Sequence, residues 1–314
     1  MQFRVLQKSD SKQLLNTGGI RTIWQIDPMI DKSVADKATV NYAENLLSTM
    51  HSVGIWKNDE LLAFVVGSIP QWDSDFFGYD SYVVRHVWSD SNESLNTLLK
   101  ELNEQLRSWN IRYAYAKLPT AAKTTTRAFE RVGFEMADLR VTFNRKLESE
   151  KPFPTNIGEL VFELAGKEDV ELMAELCKEV SKVDRFHGDP NIPEELADEI
   201  YYKWVINGAA AGKESVKCLV DGKIAGFHMS YPEKAIQTEG SMPLSISDIM
   251  GVYPEFGGRG IGTGLFVNYF ALAHMRGQKS VIAGVHVDNI ISMRLHEGVG
   301  FKAVHTEIGL RKWY

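Results

Sequence analysis

The stretch Gly257-Gly258-Arg259-Gly260-Ile261-Gly262-Thr263-Gly264 lies between a strand-like run ending Val252-Tyr253-Pro254 and an apolar run with helical periodicity over 262–276. Glycine tolerates positive φ and lets an oxygen-rich group approach the backbone without meeting a Cβ. A helix that starts beyond such a loop offers unpaired N–H groups and the positive end of its dipole, so the segment suits an anion and has room for a pyrophosphate. A structural turn between strand and helix needs glycine too, so the loop alone leaves both readings open. The segment is not a P-loop, because no Lys-Ser/Thr pair follows it. It is not a dinucleotide fingerprint either, because no acidic residue ends the next strand. Nucleotide hydrolysis is therefore not expected.

Working outward, 280–287 reads as a buried strand. A short helix follows, with Asn289, Ser292, Arg294 and Leu295, then Gly300-Phe301 and a last strand near 304–311. Upstream, 168–183 and 194–207 read as helices, and 216–220 and 224–231 as strands about the turn Asp221-Gly222. The first half repeats this order less clearly: strands at 61–69 and 81–87, an amphipathic helix at 94–109, a strand at 111–117, and a short helix ending at Gly133-Phe134. The segment 137–147 then alternates, with Leu139, Val141, Phe143 and Arg145 on one face. Between the halves, 148–158 contains Lys151-Pro152-Phe153-Pro154 and no periodicity, which predicts a linker and two domains, 1–150 and 155–314.

A chain of 314 residues with 44% hydrophobic and 24% charged residues is an ordinary globular composition, long enough for two cores. The formal charge of -6 argues against broad nucleic-acid binding. Charges interrupt every short apolar stretch near Met1, and no run is apolar enough to span a bilayer, so a cytoplasmic protein without a membrane partner is expected. Cys177 and Cys218 are isolated and read as reduced, buried thiols, and no metal site is expected.

Arg259, Gly262 and Gly264 match an Arg/Gln-x-x-Gly-x-Gly/Ala signature, and the strand-asparagine-helix-Gly-Phe ending runs from Val285 to Phe301. In these motifs the second half resembles the GNAT acetyltransferase family. The resemblance implies an α/β (α+β) fold of two tandem GNAT-like domains, each a mixed, mostly antiparallel sheet flanked by helices. It implies acetyl-CoA as co-substrate. The backbone of Met250, Gly251 and Val252 would pair with the pantetheine arm, the pyrophosphate would lie on Gly257, Gly258, Arg259, Gly260, Ile261, Gly262, Thr263 and Gly264, and Asn289 and Ser292 would complete the site. The first half carries the matching ending from Arg127 to Gly133-Phe134. Its loop reads Ser89-Asp90-Ser91-Asn92-Glu93-Ser94, which sets side chains and two negative charges against a pyrophosphate, so it reads as a non-catalytic copy.

Aminolysis of a thioester needs a free amine, a route for its proton, and a donor for the departing thiolate. The family usually places a tyrosine near the sulfur. Here His296 stands in its place, either as the acid or as a packing histidine. Asp248 lies four residues before Val252, which by strand alternation puts it on the same face as a candidate base, or as a salt-bridged aspartate at a strand end.

The segment Asp184-Arg185-Phe186-His187-Gly188-Asp189-Pro190 precedes a helix with Tyr201, Tyr202, Trp204 and Asn207, and the first half carries Trp72-x-Ser74-x-Phe76-Phe77-Gly78. Both resemble the dTDP-fucosamine acetyltransferase branch, which implies an amino-sugar nucleotide as acceptor and Arg185, His187 and Trp204 as residues of its site. A helix cap and core aromatics at helical spacing read the same way. The leading expectation is thus an acetyl-CoA-dependent N-acetyltransferase for a small-molecule amine. The alternatives are an acetyltransferase for a peptide, polyamine or antibiotic amine, a non-enzymatic CoA-binding protein, and, ranked last, an aminoacyl-tRNA-dependent ligase, which has no need of an intact CoA loop. A homodimer is compatible with the sequence.

Overall fold

The computed structural model describes residues 1–49, 51–180, 182–237 and 243–314. In chain order the elements are β1 (Gln2–Val5), α1 (Ser11–Asn16), α2 (Lys32–Leu47), β2 (Val53–Lys57), β3 (Glu60–Ser68), α3 (Gln71–Phe77), β4 (Ser81–Ser89), α4 (Asn92–Ser108), β5 (Tyr113–Pro119), α5 (Lys123–Arg131) and β6 (Glu135–Lys146). Then follow β7 (Val161–Leu164), α6 (Val170–Val180), α7 (Glu194–Ala210), β8 (Glu214–Val220), β9 (Lys223–Pro232), β10 (Leu244–Val252), α8 (Ile261–Met275), β11 (Ser280–His286), α9 (Ile290–Gly298) and β12 (Lys302–Trp313). Of the helix expected at 168–183, α6 covers Val170–Val180, and Ser181 lies outside the described residues.

The chain forms two units, residues 1–26, 31–139 and 306–314 in one, and 27–30 and 140–305 in the other. These differ from the continuous spans 1–150 and 155–314 that the linker composition suggests, because each half lends a strand to the other's unit. In the first unit the strand order is β1-β2-β3-β4-β5-β12, antiparallel except for β4 and β5. Its last strand comes from the C-terminus, Glu307 facing Pro119 through Trp313 facing Tyr113. In the second unit the order is β6-β11-β10-β9-β8-β7, antiparallel except for β10 and β11. Its first strand comes from the other half, Arg140 facing His286 through Lys146 facing Ser280. Composition marks a flexible connection, whereas strand pairing is non-local, so the linker could not show the exchange.

In the first unit Leu95, Leu98, Leu99, Leu102 and Leu106 form the apolar stripe of α4 and bury against Val53, Ile55, Ala63, Val65 and Leu310. In the second, α8 covers one sheet face with Leu265, Phe266, Tyr269 and Phe270. Helices α6 and α7 cover the other, where Met173, Leu176 and Val205 meet Phe227 and Met229. No helix among the described residues is long and apolar enough to cross a membrane.

Candidate functional site

The second unit has a wedge in its sheet. Strand β10 pairs with β11 only from Leu244 facing Ser280 to Ser247 facing Ala283, while on its other edge it stays paired with β9 as far as Val252 facing Gly226. From Asp248 to Val252 the backbone edge turned toward β11 is therefore not used by that strand. Such an edge can pair with an extended polar chain inserted as a pseudo-strand.

A β-bulge between Ser247 and Ile249 sits where the strands part. It adds a residue and so reverses the parity of the side chains beyond it. Ser245 accepts a hydrogen bond from the Tyr269 hydroxyl of α8, and Ser247 bonds His228, whose ring lies against Phe266 and Tyr269. Past the bulge, Met250 and Val252 take over the α8 face. Ile249 and Gly251 instead face α6, where a Cβ on Gly251 would touch Leu176 and Val180. Asp248 points to this α6–α7 face as well, accepting from the Trp204 indole N–H at 3.1 Å and the Lys213 ammonium at 2.6 Å. The bulge thus sets Asp248 on the face opposite Val252, not on the same face as unbroken strand alternation predicts.

The wedge opens toward the glycine-rich loop. Gly258 and Gly260 have φ of 75° and 79°, with open space where a Cβ would stand. Gly260 is the N-cap of α8 and offers no side chain to it. The first helical bond runs from the Gly264 N–H to the Gly260 carbonyl at 3.0 Å, so the N–H groups of Ile261, Gly262 and Thr263 precede the ladder. The remaining motif glycines are small for another reason. A Cβ on Gly262 would lie 2.9 Å from Leu295 Cδ2, and one on Gly264 would overlap the buried Phe162 ring. The motif therefore combines an open helix start, free of side-chain caps, with close helix packing. Arg259 is ion-paired with Glu159. In the first unit the corresponding helix α4 is capped by its own Ser91, whose Oγ accepts from the Ser94 N–H at 3.2 Å.

Asn289 is the N-cap of α9, its Oδ1 accepting the Ser292 N–H at 3.0 Å. That bond fixes the start of the helix that carries His296. The His296 ring is buried, with Phe143 at 5.4 Å, Phe266 at 4.9 Å and Phe301 at 5.0 Å, and its Nδ1 donates to the Ser292 carbonyl at 2.7 Å. Burial lowers its pKa, opposed by the hydrogen bond to Ser292. A neutral imidazole with its proton on Nδ1 has none to give from Nε2, so the packing reading of His296 fits better than the acid.

Beneath the bulge, His228 is 0% exposed and bonds Ser247 Oγ through Nε2 at 2.8 Å. Burial, with a smaller contribution from His296, pushes its pKa down from 6.5 to about 3. The unfolded histidine gains its proton as pH falls below 6.5 and the folded one only near 3. The stabilisation is therefore complete above 6.5 and drains away between those values, by up to about 1.4 kcal/mol per pH unit. His228→Gln keeps a donor toward Ser247 but does not titrate. Urea unfolding of the two proteins across that window is expected to show a shallower loss of stability in the variant.

On the α6–α7 face, His187 faces carboxylates at both ring nitrogens, Asp184 at 2.5 Å and Asp198 at 2.8 Å, and stacks on Tyr201. It ties its loop to α7, and both ring nitrogens are engaged by these carboxylates. The Arg185 guanidinium lies 4.2 Å from the Phe186 ring centroid. Trp204 stacks parallel to Tyr201 and, being partly exposed, borders the Asp248 carboxylate. Sequence reasoning missed Lys213 and Tyr231, which join this cluster with the ammonium 4.6 Å from the ring centroid. No local signal marks them, because Asp248 lies 35 positions after Lys213. Among the described residues, no group of three or more His, Cys, Asp or Glu is arranged to hold a metal ion.

Comparison with known proteins agrees with this geometry. The acetyltransferase (GNAT) family model matches residues 178–301, from the last turn of α6 through α9. The spore coat polysaccharide biosynthesis protein SpsD of Bacillus subtilis (strain 168) is 29% identical over 147 residues, 45% of this chain and 47% of that protein, so the match spans about half the relative's length. A GCN5-related N-acetyltransferase from Sphaerobacter thermophilus superposes with a TM-score of 0.65 at 14% identity, over 99% of this chain and 95% of the other. A tandem GNAT protein from the clavulanic acid biosynthesis pathway gives 0.61 at 12% identity, over 99% and 98%. At these identities the two structures speak for the fold alone. The parallel pair β10–β11 that parts at a bulge, the glycine loop and the uncapped helix α8 all fall within the matched span, and over residues 178–301 the chain is similar to the acetyltransferase (GNAT) family.

Proposed function

We propose that the chain transfers an acetyl group from acetyl-CoA to the primary amine of a small molecule. The observation that carries this reading is the β10–β11 wedge leading to the uncapped N-terminus of α8. Met250, Gly251 and Val252 would offer backbone groups to the pantetheine, and the free N–H groups of Ile261, Gly262 and Thr263 would take the pyrophosphate. The acceptor enters from the α6–α7 face, and Asp248 removes its proton. Alkyl thiols ionise near pH 8.5, so water suffices to protonate the leaving thiolate and no side-chain acid is needed. The first unit, whose helix cap is already filled by Ser91, is a non-catalytic copy.

For the acceptor, an amino-sugar nucleotide fits best. The relative is named for polysaccharide biosynthesis, and Arg185 and the Tyr201–Trp204 pair supply a cation and aromatic faces. In the first unit α3 buries none of its residues, and Trp72 stacks on Phe76 at 5.2 Å.

The test is thiol release from acetyl-CoA with a panel of dTDP-amino sugars, polyamines, peptides and aminoglycosides. Turnover with an amino sugar supports the full reading, turnover with another amine moves the acceptor class, and CoA binding without turnover favours a binding protein. Thr263→Glu separates cofactor capture from folding. Thr263 is exposed, and a glutamate in the first helical turn suits the dipole, so the melting temperature should hold. A carboxylate beside the pyrophosphate is expected to cost about 2 kcal/mol at surface dielectric, roughly 30-fold in Kd for CoA by calorimetry.

A further inference from the structure

The carboxylate assigned to receive the acceptor's proton already holds a primary ammonium. Lys213 Nζ lies 2.6 Å from Asp248 Oδ2, on the same oxygen that accepts the Trp204 indole N–H, and 4.6 Å from the Tyr231 ring centroid. The Asp248 side chain is only 7% exposed and that of Lys213 23%, so this is a partly desolvated cage rather than a surface ion pair. The backbone holds the lysine there: its N–H donates to the Gly208 carbonyl at 3.0 Å, just after Gly212 turns the chain with a φ of 81°. The cage adjoins the first position at which β10 and β11 part.

We infer that Lys213 is itself an acceptor, so that the protein acetylates its own Lys213 when no other amine fills the cage. The inference rests on the proposed acetyl transfer. Asp248 takes one proton from the ammonium, and the freed lone pair of Nζ attacks the acetyl carbon. The C–S bond breaks with its electron pair on sulfur, and the sulfur takes the second proton lost by nitrogen. The products are N-acetyl-lysine at 213, the CoA thiol, and one proton held by Asp248 and released to water. The reacting groups are parts of one folded chain, so the reaction is first order in protein and independent of its concentration.

The experiment is incubation of the full chain with acetyl-CoA and no added acceptor, followed by intact mass and peptide mapping. One acetyl group is expected on Lys213, appearing on the order of a hundredfold or more faster than on any other lysine. Lys213→Arg keeps the ion pair with Asp248 and should lose the increment. Asp248→Asn keeps the lysine and should lose it too. The proposal is overturned if Lys213 stays unmodified in a preparation that releases thiol to an added amine, or if heat-denatured protein is modified there at the same rate. Absence of both self-modification and thiol release with every amine would sink the acetyltransferase reading itself, and this inference with it.

Discussion

Asp248→Asn is expected to lower kcat for amine acetylation by roughly 10²- to 10⁴-fold, the range that a positioned general base supplies. Asparagine keeps the shape of the side chain and an oxygen for the Trp204 indole N–H, so the strand and its bulge should persist. The side chain lies on the α6–α7 face, whereas the proposed pyrophosphate site is the backbone of residues 258–263, and the Kd for CoA should stay within about twofold of wild type. A fall in kcat with an unchanged Kd would assign Asp248 to the chemical step. Unchanged turnover would mean that the amine loses its proton to water or to another group, and that the Lys213–Asp248 pair only braces α7 against β10.

Cutting the chain at its proline-rich linker is expected to abolish folding of both products, measured as loss of the cooperative unfolding transition for residues 1–150 and 155–314 expressed separately. The first fragment lacks Glu307 through Trp313, which complete the ladder on β5, and Leu310, which is fully buried in that unit's core. Burying one such leucine stabilises by about 1.5–3 kcal/mol, and Ile308 and Tyr314 pack beside it. The exposed β5 edge adds unpaired backbone groups. These losses together reach the ~5–15 kcal/mol that hold a whole domain. The second fragment lacks Val141 and Phe143, which pack on Phe266 and Phe270, and leaves β11 with an open edge. Mixing the two fragments should restore the transition if strand exchange is the cause. A cooperative transition in either fragment alone would show that the exchanged strands are dispensable.

Much of the fold is legible in the chain, because the interactions that form helices and hairpins are local. The leucines of α4 at 95, 98, 99, 102 and 106 mark its buried stripe, and Asp221-Gly222, both with positive φ, make the turn between β8 and β9. Helix α2 escapes the same reading because its buried face is mostly small and partly polar, Ala35, Ala38, Thr39 and Ala43 with a single leucine, Leu47. Helix α3 buries nothing, so it has no periodicity to read.

The site divides along the same line. The glycines at 258 and 260 announce an open loop before α8, because positive φ and an accessible backbone are properties of the residue itself. The sequence by itself determined that loop, the strand before it and the helix after it, and through them the resemblance to the acetyltransferase (GNAT) family over residues 178–301. The tertiary structure alone decided which face Asp248 occupies, that Lys213 and Trp204 meet it there, that His187 is bound between Asp184 and Asp198, and which half completes which sheet. Each of those depends on pairing or contact between residues distant in the chain, and a single inserted residue at the bulge is enough to turn every side chain beyond it to the other face.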